Sequence, residues 1–327
     1  LMGRDTSLDK IKTSILYVSI PLYSIFLTVS FPDATLIFLL FFSGFCFYKF
    51  IVEFLQRKNK HIYWYLAVLS YSFACITKYN AILFGLGVLI FLIIKKDLRK
   101  ILLSPHLIIG LLIFLLIQYP VIVWNIQNDY ASLNFNLNSR LDFHFSWGSF
   151  FLNLVIFFIA VIVAVSPIFS FGIINWKQTM VAGKENKIFL NLCYVLLIFT
   201  FFSCIILSVF TPVLYYWATP AFILFFPFLS SIITKRSHIL LHSVYGLLIM
   251  ISLLVNSTLY PLASIWGEVD RETAILYGWK DITEIVSDVK EENGIKNVLF
   301  TDYRLASLYS FHSEDYSSDA IMENRDT

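Results

Sequence analysis

The chain has 327 residues, 58% of them hydrophobic and 14% charged, with a mean hydropathy of +0.75 and a formal net charge of +2. Such a composition excludes a soluble globular fold and predicts a polytopic α-helical membrane protein. The four cysteines, Cys46, Cys75, Cys193 and Cys204, all fall inside apolar runs, which reads as small core residues rather than a disulfide framework or a paired-cysteine zinc site.

A helix rising 1.5 Å per residue needs about 17 to 25 apolar residues to cross a hydrocarbon core roughly 30 Å thick. Nine runs fit that expectation: 14–31, 34–55, 62–77, 81–94, 101–123, 149–174, 188–210, 213–233 and 239–258. The third and fourth are short and flank Thr77-Lys78-Tyr79-Asn80. They read either as a hairpin of two short helices or as helices lengthened by interfacial aromatics and lysines.

Cytoplasmic connections retain Lys and Arg during insertion, so the basic residues set the orientation. Alternate connections hold fifteen of them, from Arg4, Lys10 and Lys12 through to Lys235 and Arg236, whereas the intervening short connections hold only Lys78 and Arg140. Nine spans starting inside put Asp33, Lys78, the 125–148 loop, the Thr211-Pro212 turn and everything from Leu259 onward outside. The expected setting is the plasma membrane of a bacterium, the inner one, with the C-terminal tail extracytoplasmic. The tail carries 14 Asp and Glu against 6 Lys and Arg, so the near-neutral total conceals two opposite halves.

Three regions interrupt the helical pattern. Phe31-Pro32-Asp33 places one carboxylate between two membrane-length runs, where Asp33 either caps the following helix or serves as a base toward a hydroxyl. The outer loop 125–148, with Trp124 at its entry and Asn125, Asp129, Tyr130, Arg140, Asp142, His144 and Trp147 within it, is long for a connection without function. The proline-bracketed cluster 211–220 contains Tyr215-Tyr216-Trp217, either an interfacial aromatic belt or the lining of a lipid or acceptor groove.

Two domains are expected, a multi-span membrane domain over 1–258 and a small extracytoplasmic α/β tail over 259–327. In the tail, Ile282, Ile285, Val286 and Val289 form one helical stripe closed by Gly294. Residues 297–300 then read as a short buried strand and 303–311 as a second helix. The chain opens Leu1-Met2-Gly3-Arg4-Asp5 and stops at Asn324-Arg325-Asp326-Thr327 with no closing element, so truncation is expected at both ends.

Lys78, a lone cation in an outer connection, fits either the phosphate of a lipid-linked substrate or a snorkelling side chain among headgroups. Arg140 offers bidentate geometry to phosphate, or pairs with Asp142 or Asp129. His144 has no neighbours at ligand spacing. There is no glycine-rich phosphate loop, no Ser/His/Asp arrangement, and no chain of charges at mid-membrane depth of the kind an ion-coupled pump carries.

Five stretches occur in a telling order: Phe31-Pro32-Asp33-Ala34, Thr77-Lys78-Tyr79-Asn80-Ala81, Tyr119-Pro120 through Trp124-Asn125-Ile126-Gln127-Asn128-Asp129-Tyr130, Gly278-Trp279, and Asp302-Tyr303-Arg304-Leu305-Ala306-Ser307. Together they resemble the bacterial branch of the polyprenyl-phosphate-sugar glycosyltransferases of the multi-span GT-C class, which is similar to the protein O-mannosyltransferases and the lipid A aminoarabinose transferases. The resemblance implies a membrane enzyme that takes a sugar from a polyprenyl phosphate and passes it, with inversion, to an envelope glycolipid, glycan or protein.

It also implies an acidic pair in an outer loop upstream of residue 1, with Asp33 as the second acidic position. Lys78, Tyr79, Arg140, Trp124, Asn125, Asp129, Tyr216 and Trp217 would then contact substrate. Where relatives often place a basic residue or histidine ahead of the tryptophan, this chain has Tyr215-Tyr216, which points to a different acceptor. No cofactor is required by these residues, a divalent metal being left open, and the expected partners are the lipid-linked donor, the acceptor and membrane lipids, with no nucleic acid. The rival reading is a transporter or flippase of lipid-linked saccharides, weakened by charges that cluster at one face rather than near the midplane.

Overall fold

The computed structural model describes residues 7–28, 32–58, 60–135, 146–175, 184–267, 271–315 and 318–320. Two compact units divide the chain, Leu1–Leu248 and Ile249–Thr327, so the boundary falls inside a helix rather than after it, ten residues before the sequence-based division at 258/259.

The first unit is helical. Its elements are α1 (Ser7–Val18), α2 (Pro21–Thr28), α3 (Pro32–Leu55), α4 (Ile62–Thr77), α5 (Ala81–Ile94), α6 (Pro105–Gln127), α7 (Trp147–Val165), α8 (Pro167–Asn175), α9 (Lys184–Leu207) and the start of α10 (Arg236–Thr258). Six helical stretches among the described residues are long and apolar enough to cross a membrane, and α4 and α5 are shorter apolar helices. The protein is thus mostly helical and multi-pass. The connection Lys78–Asn80 makes α4 and α5 a pair of short helices, the first of the two readings the sequence allowed.

Three of the nine expected runs are not single α-helices, and proline accounts for each. Run 14–31 divides into α1 and α2 because Pro21 has no N–H to donate and pushes Ile20 out of helical geometry. Run 149–174 breaks at Ser166, whose φ of 87° is followed by Pro167 at the start of α8. Run 213–233 alternates 3₁₀ and α turns from Tyr215 to Ile232, with Pro220 and Pro227 inside it.

Backbone groups freed at such breaks need partners, because lipid offers none. His242 on α10 supplies them at two breaks together. Its Nε2–H donates to Leu16 O (2.9 Å), which leaves Nδ1 to accept from the Ser166 hydroxyl (2.8 Å), and all of this is fully buried. One turn on, Gly246 meets the Ser19 carbonyl so closely that a β-carbon has no room.

The core of this unit is apolar side chains from α1, α3, α4, α5, α9 and the Tyr215–Ile232 stretch, with Phe225, Phe228, Leu36 and Leu40 among those fully enclosed. Around the circumference, Ile108, Leu112, Leu116, Phe151 and Leu240 face outward, as they must where lipid is the solvent.

The second unit contains the rest of α10, then α11 (Trp279–Asn293), β1 (Val298–Phe300), α12 (Tyr303–Ser313) and β2 (Ser318–Ala320). Helix, strand and helix fall where the sequence placed them, and Gly294 ends α11 in the left-handed conformation. β2 pairs in parallel with β1, Leu299 opposite Asp319, so β1-α12-β2 is a crossover unit. Asp302 caps α12, accepting from the Arg304 N–H at 2.8 Å. Two details depart from expectation. The strand is not buried at Leu299, which lies exposed, and Ile282, Ile285 and Val289 of the apolar stripe are exposed as well. Helix α11 instead anchors itself through the buried Trp279, stacked parallel to His312 at 5.9 Å.

Candidate functional site

The site begins with how α3 lies against α4. Two side chains fix an antiparallel register: Ser43 Oγ donates to Ala67 O (2.9 Å) and Ser70 Oγ donates to Leu39 O (2.8 Å). Ten residues back from Ser43 is Asp33, and ten forward from Ala67 is Thr77. Helices rising equally per residue therefore carry Asp33 to the end of α4, beside Lys78.

There the chain leaves helical geometry. Lys78 is extended (φ −161°, ψ 134°), while its N–H still donates to Ala74 O at 3.1 Å. Its ammonium reaches both carboxylate oxygens of Asp33, at 2.9 and 2.8 Å. The pair is asymmetric in access: the Asp33 side chain is 4% exposed and that of Lys78 28%.

A third group completes the cluster. The Tyr216 ring lies under the ammonium, 4.2 Å from Nζ to the ring centroid, so the cation is held by a carboxylate and by an aromatic face. Tyr216 sits in the 3₁₀ turn Tyr215–Ala218, where the Thr219 hydroxyl donates to its carbonyl (2.6 Å) and Tyr215 meets it edge-on at 5.4 Å.

This geometry bears on the two readings of Asp33. The helix starts at Pro32 rather than Ala34, so Asp33 is in its first turn, where the dipole favours negative charge. Both of its oxygens, however, are taken up by Lys78. A carboxylate so engaged and so enclosed positions a cation rather than acting as a free base for an incoming hydroxyl.

An ammonium has three N–H donors, and two of them point at Asp33. The third, on a side chain with partial access, remains for an anion. A buried pair of this kind contributes little net stability, because desolvation offsets attraction. It fixes where a positive charge stands.

The other candidate residues are distributed differently. Tyr79 is half exposed in the α4–α5 turn, and Trp217 is half-buried next to Tyr216. Trp124 and Asn125 belong to the last turns of α6, which runs on to Gln127, so the expected loop begins later than 125. Asp129 and Tyr130 follow in left-handed geometry, φ 49° and 58°. The hydrogen bonds here are local: Asn125 Nδ2 donates to Val121 O (2.9 Å), and the carbonyls of Trp124 and Asp129 accept from the Asn128 and Asn134 carboxamides (both 2.8 Å). These contacts do not reach the Asp33–Lys78–Tyr216 cluster. Arg140, with Asp142 and His144, lies outside the described residues. Among the described residues no group of three or more His, Cys, Asp or Glu side chains is arranged to hold a metal ion.

Sequence reasoning missed Asn80. Both polar atoms of its carboxamide are buried and lack a hydrogen-bond partner, two residues after Lys78. Leaving such a group unsatisfied costs about 1–3 kcal/mol, which native folds avoid unless something else supplies the partner. The Thr77-Lys78-Tyr79-Asn80 stretch contained the signal, but burial without a partner is invisible in a sequence.

Residues 10–124 match the family model described as dolichyl-phosphate-mannose-protein mannosyltransferase. No curated protein and no solved structure matches the chain. The matched stretch runs from α1 almost to the end of α6 and includes Asp33, Lys78, Asn80 and Trp124, ending before Asn125 and Tyr216. It supports a multi-pass membrane glycosyltransferase that draws on a polyprenyl-phosphate sugar.

Proposed function

We propose that the protein transfers a sugar from a polyprenyl phosphate to a cell-envelope acceptor, a glycolipid, glycan or protein, on the extracytoplasmic side of a bacterial plasma membrane. The observation that carries this reading is the Lys78 ammonium, gripped by Asp33 and backed by Tyr216, at the rim of a membrane-spanning bundle. The family match over residues 10–124 supports the same class of donor.

Displacement at the anomeric carbon by an acceptor hydroxyl breaks the bond to the phosphate oxygen, and negative charge develops on the departing lipid phosphate. A preorganised cation at that oxygen stabilises the transition state more than the ground state. Lys78 has the charge, a remaining N–H and the access to do so. Asp33 keeps the ammonium in place and ionised, and the Tyr216 face limits where it can swing. Inversion follows if the hydroxyl attacks opposite the phosphate.

Asn80 provides an amide beside this cation that can donate to a phosphate or sugar oxygen and accept from a sugar hydroxyl. Tyr79, Trp124, Asn125, Asp129, Arg140 and Trp217 are the further candidates for contact with donor or acceptor. The proton acceptor for the attacking hydroxyl is assigned to no residue of the cluster.

Membranes holding the full chain, supplied with labelled sugar on a set of polyprenyl phosphates, give the test. Transfer to envelope lipid or protein by the parent, and its loss in Lys78→Ala with the protein still present and folded, is the expected result. Undiminished transfer in Lys78→Ala would remove the cation from the mechanism. Movement of the lipid-linked sugar across the membrane without transfer would replace the enzyme with a flippase.

A further inference from the structure

Below the Asp33–Lys78 pair, a groove of about 370 Å³ opens between α3, α4, α5 and α6. Its walls are almost wholly apolar. Lining residues run along α5 from Ile82, in the first turn after Lys78, to Leu92, a rise of about 15 Å. The groove is open sideways, since Ile82, Leu86, Leu89 and Leu111 all face outward in the bundle.

Two glycines keep it open. At Gly85 a β-carbon would overlap the Tyr71 phenol, which lies flat against α5 and stacks on Phe114 at 5.8 Å. At Gly110 a β-carbon would come 2.8 Å from Trp64 Nε1, whose N–H donates instead to His106 O at 2.9 Å. The one serine of the lining, Ser43, has its hydroxyl already engaged by Ala67 O. Little polar surface is left in the groove to attract water or a sugar.

We propose that this groove seats the first isoprenoid units of the lipid donor, leading away from the phosphate at Lys78. The proposal rests on the donor reading given above and adds the place of the tail. Three features select the occupant. The groove starts within one helical turn of a cation that suits a phosphate, which gives a lipid headgroup and its chain one continuous path.

Its length is the second. An isoprene unit has four carbon–carbon bonds of about 1.5 Å and spans roughly 5 Å, so 15 Å takes about three units. The third is capacity. At roughly 30 Å³ per methylene-sized group, the volume of a liquid water, 370 Å³ accommodates about twelve such groups, or two to three units of one chain. A two-chain phospholipid would leave most of its carbon outside.

The lateral opening lets a lipid already dissolved in the bilayer enter without crossing water. Affinity then comes from shape, because the chain exchanges one apolar surrounding for another. Narrowing the groove should thus discriminate by chain length.

The experiment compares two donors carrying the same sugar, one on a long polyprenyl phosphate and one on a single-isoprene phosphate, in the full-length protein. Leu89→Trp, which narrows the groove from its outer wall, should raise the ratio of KM for the long donor to KM for the short one by about tenfold. Leu116→Trp, on the outward face of α6, should leave that ratio where it was. An unchanged ratio in Leu89→Trp overturns the proposal.

A binding readout separates this from the fate of the catalytic reading. A diazirine-bearing isoprenyl phosphate should label α5, with long polyprenyl phosphate competing and phosphatidylglycerol not. Labelling elsewhere, or equal competition by phosphatidylglycerol, would make the groove a seat for bulk lipid and overturn the proposal. Selective labelling in a protein that transfers sugar from no donor would keep the groove and discard the transferase reading.

Discussion

Helices α3 and α6 have 24 and 23 residues, and α6 is the more apolar of the two. Yet 61% of the most apolar stretch of α3 is buried in the bundle, against 6% for α6. Hydropathy puts a segment in the membrane without saying what it packs against, because lipid tails are as apolar as leucine. Small and polar residues make that choice. Gly44 of α3 admits the Leu224 side chain, which a β-carbon would displace, and Ser43 and Asp33 bind α4 and the lysine that ends it. The buried residues of α6 are Gly110, Gln118 and Asn125, none of them hydrophobic.

The ion pair at the rim of α3 should show the greatest effect of any change to this contrast. Lys78→Met leaves the Asp33 carboxylate buried with no counter-charge, whereas Asp33→Asn leaves an ammonium that can still reach the surface. Transfer should fall by about 100-fold or more in both, the order of magnitude for removing one preorganised charge. In unfolding measured in detergent, Lys78→Met should be the less stable by about 1 kcal/mol or more, breaking a buried pair being worth up to about 3–5 kcal/mol. Equal losses of stability would show that the two side chains have the same access to solvent.

Next comes packing. Leu40 of α3 is fully buried, and Leu40→Ala should cost about 1–3 kcal/mol. That is the cavity part of the usual loss, since the side chain enters protein from lipid rather than from water. A thermal melt of the detergent-solubilised protein reads this directly, and no shift would show that the bundle closes around the gap.

Smaller still is the one long polar side chain that α6 buries. Gln118 Nε2 donates to Ser72 O at 2.7 Å, joining α6 to α4, and Gln118→Leu should cost about 0.6–1.5 kcal/mol. The smallest change is Leu116→Ala, at a residue 74% exposed, where the expected shift is within about 0.5 kcal/mol. A loss there as large as that at Leu40 would mean that α6 has a partner on its outer face and erase the contrast between the two helices.

Much of the candidate site was legible in the amino-acid sequence. Asp33 and Lys78 stood out singly, each the lone charge of a connection on the same side, and Tyr216 by its place in an aromatic turn. Their meeting was not legible from those features. It depends on the register between α3 and α4, set by Ser43 and Ser70, two serines that nothing in an apolar run distinguishes. The same limit applies to the breaks at Ile20 and Ser166. Proline marked both places, but that one buried histidine, His242, serves both could come only from packing.

The sequence by itself determined that this is a helical, multi-pass membrane protein, since uninterrupted apolar length is a local property that a bilayer reads directly. It also set the helix–strand–helix order of the tail, where Gly294 and Asp302 terminate and start elements through their own backbone and side-chain chemistry. Only the tertiary structure decided which helices are enclosed and which face lipid, that Asp33 holds Lys78 over Tyr216, and that Asn80 is buried without a partner. Those outcomes depend on residues far apart in the chain arriving at one place, and neither hydropathy nor spacing along the chain records that encounter.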